Sequence, residues 1–461
     1  MIPAQELVEH GVTTADGAGA DGCVVLVQEG SHADVRFALN QTTTNGVHRS
    51  RTVSVVAVAG TAAGTATRTG VVGEAGVEEM VAAALADAKA APPAEDAFSL
   101  VEVHSDPALS FDRAPEETDA SVLDEVLSSL SGAFERARAR GAVLAGFAEH
   151  DVATLYLGTS TGLRRGHVQP TGAVNLVGRT ADGKGSAWVA QPTIAPSLRT
   201  MEEEIWRRLD WERKTVSLEA GRYEVILPPS GVGDLMATLT FYGMSGQGAE
   251  DGRTVFSKEG GATRVGEAIS ALPFTLYSDP VESGIECTPF VATGASSSEV
   301  SVFDNGLPIG RTDWIREGSL AHLRYHRAGA ARSGVEMAPF VDNLVLRCGE
   351  HDGGSVDDMV ARTERGLLLT CLWYIRQVDP ATALETGLTR DGVYLIENGA
   401  VVAAANNFRF NESPVDLLAR ATEVGTPVRS LGREFGEYLN RTIMPALRIP
   451  DYNMSSVSQA S

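Results

Sequence analysis

Two dipeptides constrain the fold of this 461-residue chain more than any other local feature: Asn305-Gly306 in VSVFDNGLPIG and Asn398-Gly399 in VYLIENGAVVAAA. Each sits between apolar, β-branched runs, and Asn and Gly are the residues that tolerate the positive φ of a tight hairpin turn. They predict two hairpins and a second half built mainly of antiparallel sheet. The runs NLVLRCG and LLLTCLWYIR read as further strands there, while DMVARTER and SPVDLLARATEVG read as short helices.

The first half follows a related grammar. Residues 22–28 (GCVVLVQ), 34–39 (DVRFAL) and 52–59 (TVSVVAVA) are β-branched runs separated by Gly, Ser and Asn, which predicts three antiparallel strands. Two segments, 76–91 and 117–141, place apolar residues three and four apart, with acids early and arginines late, and predict helices. Sheet pattern returns at AGFAEHDVATLYLGTSTGL and PTGAVNLVGRTADGKGSAWVA, with a hairpin expected at Asp182-Gly183. The charged stretch 197–221 reads as a bridging helix. The expected fold class is therefore α+β. It comprises an N-terminal α/β domain with an antiparallel sheet and two helices (1–195), a linker helix (196–221) and a mainly-β C-terminal domain with few helices (222–461).

Composition narrows the function classes. Hydrophobic residues make up 43% and charged residues 21%, as in a folded globular protein. Against 38 basic side chains stand 60 acidic ones, a formal charge of −22 that repels phosphate backbones and anionic lipid, so direct nucleic-acid binding is disfavoured. The start lacks a basic and an apolar region, and no segment approaches 18 uninterrupted apolar residues. A cytoplasmic location away from membranes is expected. Cys23, Cys287, Cys348 and Cys371 are far apart without a CxxC pair and are expected to be buried thiols.

The segment PPSGVGDLMATLTFYG (Pro228 to Gly243) follows an apolar strand and reads as a Gly/Pro turn opening a helix, a frame on which enzymes mount reactive groups; it holds no His, Glu or Cys. Of nine histidines only His322 and His326, in HLRYH, have the four-residue spacing of a helical zinc pair, and no Glu follows the first. A strand or loop is expected there. Gly158-Thr159-Ser160-Thr161-Gly162 matches GxSxG, yet LRRGHVQPTG after it excludes the helix that a nucleophile elbow requires, so a hairpin turn is expected. Gly243–Gly248 lacks the Lys and spacing of a phosphate loop and reads as a flexible loop. Asp234, Glu250 and Asp251 lie near the frame without a group to tune them as a base, and Glu202-Glu203-Glu204 reads as a solvated helix start. No residue receives a catalytic role.

The order of YEVILPPSGVGDLMATL, TVFSKEGGATRVGEAISALPFTLYSDP, GASSSEVSVFDNGLPIGR, NNFRFNESP and MPALRIPDYNMSS resembles the TldD/PmbA family, also called modulator of DNA gyrase. ADVRFALNQTTTNG and VSVVAVAGTAAGTATRTG are similar to that family's N-terminal sheet. The block Asn407, Phe408, Arg409, Phe410, Asn411, Ser413 and Pro414 resembles the NFRFN-S-P block of the TldE branch. The resemblance implies paired subunits. TldD-type members carry a zinc-binding HExxxH and cut largely unfolded peptides, and TldE-type members generally lack the ligands. Matched on strand and turn, HExxxH falls near Ala237, Thr238 and Tyr242, none of which binds zinc.

The resemblance thus implies a non-catalytic, TldE-like subunit of a heterodimeric zinc metallopeptidase acting on extended peptides or peptide natural-product precursors. It implies no metal or other cofactor in this chain and zinc in a TldD-like partner. A stand-alone hydrolase using the loop 247–254 with His326, or a regulatory binding protein, are the alternatives. The block from Asn407 to Pro414 is expected to shape the cleft, with Arg409 as a buried structural arginine. Ser298, in the loop Gly294–Ser298, and His326 are further cleft candidates.

Overall fold

The computed structural model describes residues 2–103, 111–193 and 197–458. His104 and the expected 195/196 boundary lie outside them. Its first half comprises α1 (Ala4–Gly17), β1 (Gly22–Ala38), β2 (Gln41–Ala59), β3 (Ala62–Thr69), α2 (Glu74–Ala90), α3 (Asp124–Ala139), β4 (Ala142–Thr159), β5 (Arg164–Thr180), β6 (Ser186–Gln191) and α4 (Leu198–Trp211). The strands form one antiparallel sheet in the order β3-β2-β1-β4-β5-β6.

The two runs expected as separate strands, 22–28 and 34–39, are one strand. The residues between them keep the alternation, with Ser31 and Ala33 buried, and stay paired to β2 and β4 throughout. The hairpin at Asp182-Gly183 and the turn at 158–162 form as expected.

Alternate residues of β1 point to opposite faces. Cys23, Val25 and Val27 pack under α1 and α2, and Ala33, Val35 and Phe37 pack under α3 and α4. Among the described residues, the expected bridging helix, α4, and a helix not expected, α1, join α2 and α3 in covering the sheet. α1 buries Leu7 and Val8; α4, shorter than the expected bridging helix, buries Ile205 and Trp206 and ends at Trp211. Glu202 is not solvated. Arg136 donates to both of its oxygens at 2.7 and 2.6 Å and Trp206 Nε1 donates at 2.8 Å, which satisfies a buried carboxylate.

The second half runs β7 (Thr215–Val216), β8 (Gly221–Leu227), α5 (Pro229–Thr238), α6 (Gly246–Glu250), β9 (Thr275–Ser278), β10 (Thr312–Arg316), β11 (Ser319–Leu320), α7 (Arg327–Ser333) and β12 (Leu344–Arg347). It continues through α8 (Val356–Ala361), β13 (Arg365–Leu369), β14 (Leu372–Asp379), β15 (Leu384–Thr389), β16 (Val393–Glu397), β17 (Ala400–Ala405) and β18 (Phe408–Glu412). It ends with α9 (Pro414–Arg420), β19 (Glu423–Val424), β20 (Val428–Ser430), β21 (Thr442–Met444) and β22 (Leu447–Val457). One sheet has the order β14-β15-β18-β22-β8-β13-β16-β17-β7, with β19 on β22, and the other β11-β10-β9-β12-β21-β20. A single apolar core joins them. Val225, Phe408, Phe410 and Ile449 of the first meet Leu276, Trp314 and Leu344 of the second around Val232, Leu235 and Met236 of α5.

Asn398-Gly399 joins β16 to β17 with φ of +50° and +78°, the expected hairpin. Asn305-Gly306 is instead a turn outside any strand pair. Asn305 has φ −53° and only Gly306 is positive at +83°, while the Asn305 side chain donates to the carbonyls of Thr293 and Val302 at 2.9 Å and accepts from Thr293 N at 2.7 Å. Asparagine serves there as a loop brace, so the dipeptide adopts the single-positive-φ turn. The run LLLTCLWYIR divides at Thr370-Cys371 into β13 and β14, which are not neighbours in the sheet.

All four cysteines are buried and free, and burial pushes the Cys23 and Cys287 thiols up to about 12. Among the described residues no helix is long and apolar enough to cross a membrane.

Candidate functional site: an empty helix frame beside a cavity between the two halves

β8 delivers the chain to Pro228, whose extended backbone precedes Pro229 at the first helical position. Proline suits that position because its missing N–H would have no intrahelical partner. α5 then runs to Thr238 and closes in one π-type turn, Leu239–Gly243. Ala237 and Thr238 are each 1% exposed, and Thr238 Oγ1 donates to the Leu235 carbonyl at 2.8 Å. Tyr242 is 46% exposed. The three positions therefore do not converge: two are sealed in the core and one faces outward. Among the described residues no group of three or more His, Cys, Asp or Glu side chains is arranged to hold a metal ion.

The acids near this frame are engaged elsewhere. Asp234 is buried and receives three backbone N–H groups: Arg433 on Oδ2 at 2.9 Å, and Glu434 and Phe435 on Oδ1 at 3.1 and 2.9 Å. Burial pushes its pKa up to about 7 and the three donors pull the other way; its role is to clamp the 432–435 loop onto α5. Glu250 accepts from Tyr325 Oη at 2.8 Å, and Asp251 from Gln247 Nε2 at 3.0 Å. The segment Gly243–Gly248, expected as a flexible loop, is the close of the π turn followed by α6, with Gly246 and Gly248 buried.

HLRYH is irregular, as expected, and organises this region. Buried Arg324 donates to the Phe241 carbonyl at 3.2 Å and pairs with Glu299 at 2.7 Å, fixing the π turn. His322 Nδ1 lies 2.9 Å from the Asp313 carbonyl, whereas His326 Nδ1 accepts from Gly329 N at 3.2 Å and caps α7; burial lowers the His326 pKa. The two imidazoles thus serve different backbone groups.

The face of the N-terminal sheet opposite its helices begins apolar, where Val24, Leu26 and Leu157 pack on Phe290, Val302 and Phe303. Further along, the same alternation presents Gln28, His32, Asp34 and Arg36 on β1, with Glu149 and Asp151 beside them on β4. His32 Nδ1 lies 2.6 Å from Asp151 Oδ1, and its Nε2 3.6 Å from Asp34. The Glu149 pKa is raised by burial and by Asp151, with a contribution from Glu437 in the second half. A cavity of about 270 Å³ between the halves is lined by Gln28 and Leu155 on one side and Glu299, His326 and Phe340 on the other. Phe340 lies 6.4 Å from Phe241, which lies 6.2 Å from Phe435; Tyr438 extends that aromatic group into solvent.

The NFRFNESP block lies apart from this cleft's lining. Phe408 and Phe410 are fully buried in β18, and strand alternation turns Arg409 outward, so it is exposed rather than the expected buried arginine; its Nη1 donates to Thr386 Oγ1 at 3.2 Å. Asn407 Oδ1 accepts from Thr389 Oγ1 at 3.1 Å. Asn411 and Ser413 line a separate open groove of about 570 Å³ with Arg222 and Arg420, and Pro414 opens α9. Ser298 is exposed in a loop that Ser296 ties to the first half by donating to Asp96 at 2.6 Å. Sequence reasoning missed the His32–Asp151 pair, Arg324 and Phe340; strand alternation around His32 and Asp34 was the only local signal for any of them.

The profile of the PmbA/TldA metallopeptidase C-terminal domain matches residues 220–456. No curated protein matches the chain in sequence. Among solved structures it is similar to TldE from Thermococcus kodakarensis, with a TM-score of 0.79 and 18% identity over 97% of this chain and 98% of that one. It is also similar to a protein of Bacteroides thetaiotaomicron described as a modulator of DNA gyrase, with a TM-score of 0.75 and 14% identity over 98% of both chains. A Thermotoga maritima protein with the same description has a TM-score of 0.75 and 14% identity over 97% of this chain and 99% of that one. These identities speak for the fold. The profile match spans just over half of the chain, from the β8–α5 frame to the last strand, and with it the chain belongs to the PmbA/TldD metallopeptidase family.

Proposed function

We propose that this protein is the TldE-like, non-catalytic subunit of a cytoplasmic, heterodimeric zinc metallopeptidase that cleaves extended peptides or peptide natural-product precursors. The observation that supports the reading is α5: a strand-turn-helix frame in a metallopeptidase family, with Ala237, Thr238 and Tyr242 near where the resemblance sets HExxxH, two of them inaccessible. Zinc ligation needs nitrogen, sulfur or carboxylate donors converging on one point. In this reading the metal and the attacking water belong to a TldD-like partner.

What this chain supplies is enclosure. The cavity between the halves brings Gln28 and Leu155 of the N-terminal sheet against Glu299, His326 and Phe340, a mixed polar and apolar lining that supports peptide contact in this reading. Enclosure of an extended strand between this chain and its partner would exclude folded proteins. Co-expression with a TldD-like chain carrying HExxxH is expected to give a stable complex with peptidase activity that chelation abolishes. A pair that never associates, or activity that this chain alone retains after chelation, would sink the proposal.

A further inference from the structure

α5 begins without a cap. Pro228 precedes it, Pro229 is its first residue, no side chain accepts from its first turn, and the N–H groups of Ser230 and Gly231 have no intrahelical partner. A helix start of this kind carries a partial positive charge. It opens onto a cavity of about 430 Å³ between the halves, which shares no lining residue with the one at Gln28 and His326. From the first half come Trp188 of β6 and Glu204, Arg207 and Arg208 of α4; the second half adds Asp357 of α8 and the strand β20.

Strand alternation turns Ala187 and Val189 toward α4 and Trp188 toward the second half, where the Arg433 guanidinium lies 5.3 Å from its ring centroid. Trp188 is 2% exposed, and its Nε1 has no acceptor. An indole nitrogen only donates, so the group it lacks is an acceptor.

The carboxylates of the lining are already held. Glu204 accepts from Arg207 Nε at 2.7 Å and Arg208 Nε at 2.6 Å, and both oxygens of Asp357 accept from Arg207 Nη1 at 2.8 Å. Arg429, the third arginine of the lining, donates to the Pro192 carbonyl at 2.5 Å and pairs with no carboxylate among the described residues. What remains free around this cavity is donor capacity, and three guanidinium groups stand against two carboxylates in a chain of formal charge −22. Leu368 and Leu431 add apolar wall, and the volume suits a small organic molecule.

We infer that this cavity binds a small molecule with an oxyanion head, a phosphate ester or a carboxylate, on a partly apolar body. The head accepts from the N–H groups at the start of α5 and from Trp188 Nε1, and the body lies against Leu368 and Leu431. Such a ligand ties the two halves together at the base of the frame helix. The inference does not rest on the peptidase reading.

The test is isothermal titration of the full chain with phenyl phosphate, with phenylacetate and, as the uncharged probe, with benzyl alcohol. Expected is saturable, one-to-one binding of at least one of the anions and none of benzyl alcohol; the tighter anion identifies the head as phosphoryl or carboxylate. Trp188→Phe keeps a ring beside Arg433 and removes the N–H, and should weaken that binding about tenfold. Ser230→Asp sets a carboxylate at the helix start, where it suits the helix, and should weaken anion binding about tenfold or more with an unchanged or higher melting temperature. Ser230→Ala, which keeps the backbone N–H, should bind like the parent. Failure of both anions to bind overturns the inference. So does benzyl alcohol binding as tightly as the anions, or a folded Ser230→Asp chain that binds them as tightly as the parent.

Discussion

Glu385 and Glu412 face each other directly across β15 and β18, and their surroundings separate them. Glu412 is paired with Arg420 and accepts from Asn453 N at 2.6 Å. Glu385 is 1% exposed, one of its oxygens has no partner, and burial pushes its pKa up to about 8, opposed by the nearby Thr238 hydroxyl. A carboxyl whose pKa is raised on folding favours the native state fully below its unfolded value, near 4.5, and loses that contribution as pH rises through about 8. Urea unfolding should therefore show a decline on the order of 5 kcal/mol between those pH values, which Glu385→Gln should largely remove. An unchanged pH dependence in the variant would refute this assignment. Neither this residue nor Asp234 could be assigned from the sequence. Asp234 is visible as an acid near the frame, but the three N–H groups that fix it lie about 200 positions downstream. Cys23 and Cys371, whose expectation needed only apolar neighbours, are buried as expected.

At the scale of elements, local signals succeed where the backbone itself makes the demand. Asn398-Gly399 forms its hairpin because both residues carry positive φ, and a Cβ on Gly399 would stand 2.6 Å from the Ala361 carbonyl oxygen. Gly399→Ala should cost roughly 1–3 kcal/mol, read as a lower denaturation midpoint with an unchanged slope. Asn305-Gly306 carries the same letters, but its side-chain bonds to Thr293 and Val302 select another turn, and those contacts are tertiary. Helix periodicity revealed α2 and α3; the π turn at 239–243 is held by Arg324, far away in the chain. The frame also limits engineering. Ala237→His with Tyr242→His should not yield a zinc site, because position 237 is packed in the core while 242 points outward. The added volume should instead destabilise α5 by about 1–3 kcal/mol. Stoichiometric zinc in that double variant, measured by elemental analysis, would show that the helix can rotate both positions into one site.

For the whole molecule, the α+β class and the division into a sheet-plus-helix half and a mainly-β half were legible, since periodicity changes along the chain report them. The cleft was not. It arises where β1 passes from packing Val24 and Leu26 on the second half to presenting His32 and Asp34, a change set by how the two halves meet. The residues of NFRFNESP, prominent in sequence, prove largely internal to a strand, whereas the cleft wall comes from scattered aromatics without a motif. The strand-turn-helix frame around Ala237, Thr238 and Tyr242 offers no converging donors, and the proposal that chemistry lies in a partner rests on it. The most direct test is elemental analysis of zinc in the purified chain and in its complex with a TldD-like subunit, with peptidase activity followed on the same samples. The account predicts stoichiometric zinc and activity only in the complex; stoichiometric zinc with peptidase activity in this chain alone would contradict it.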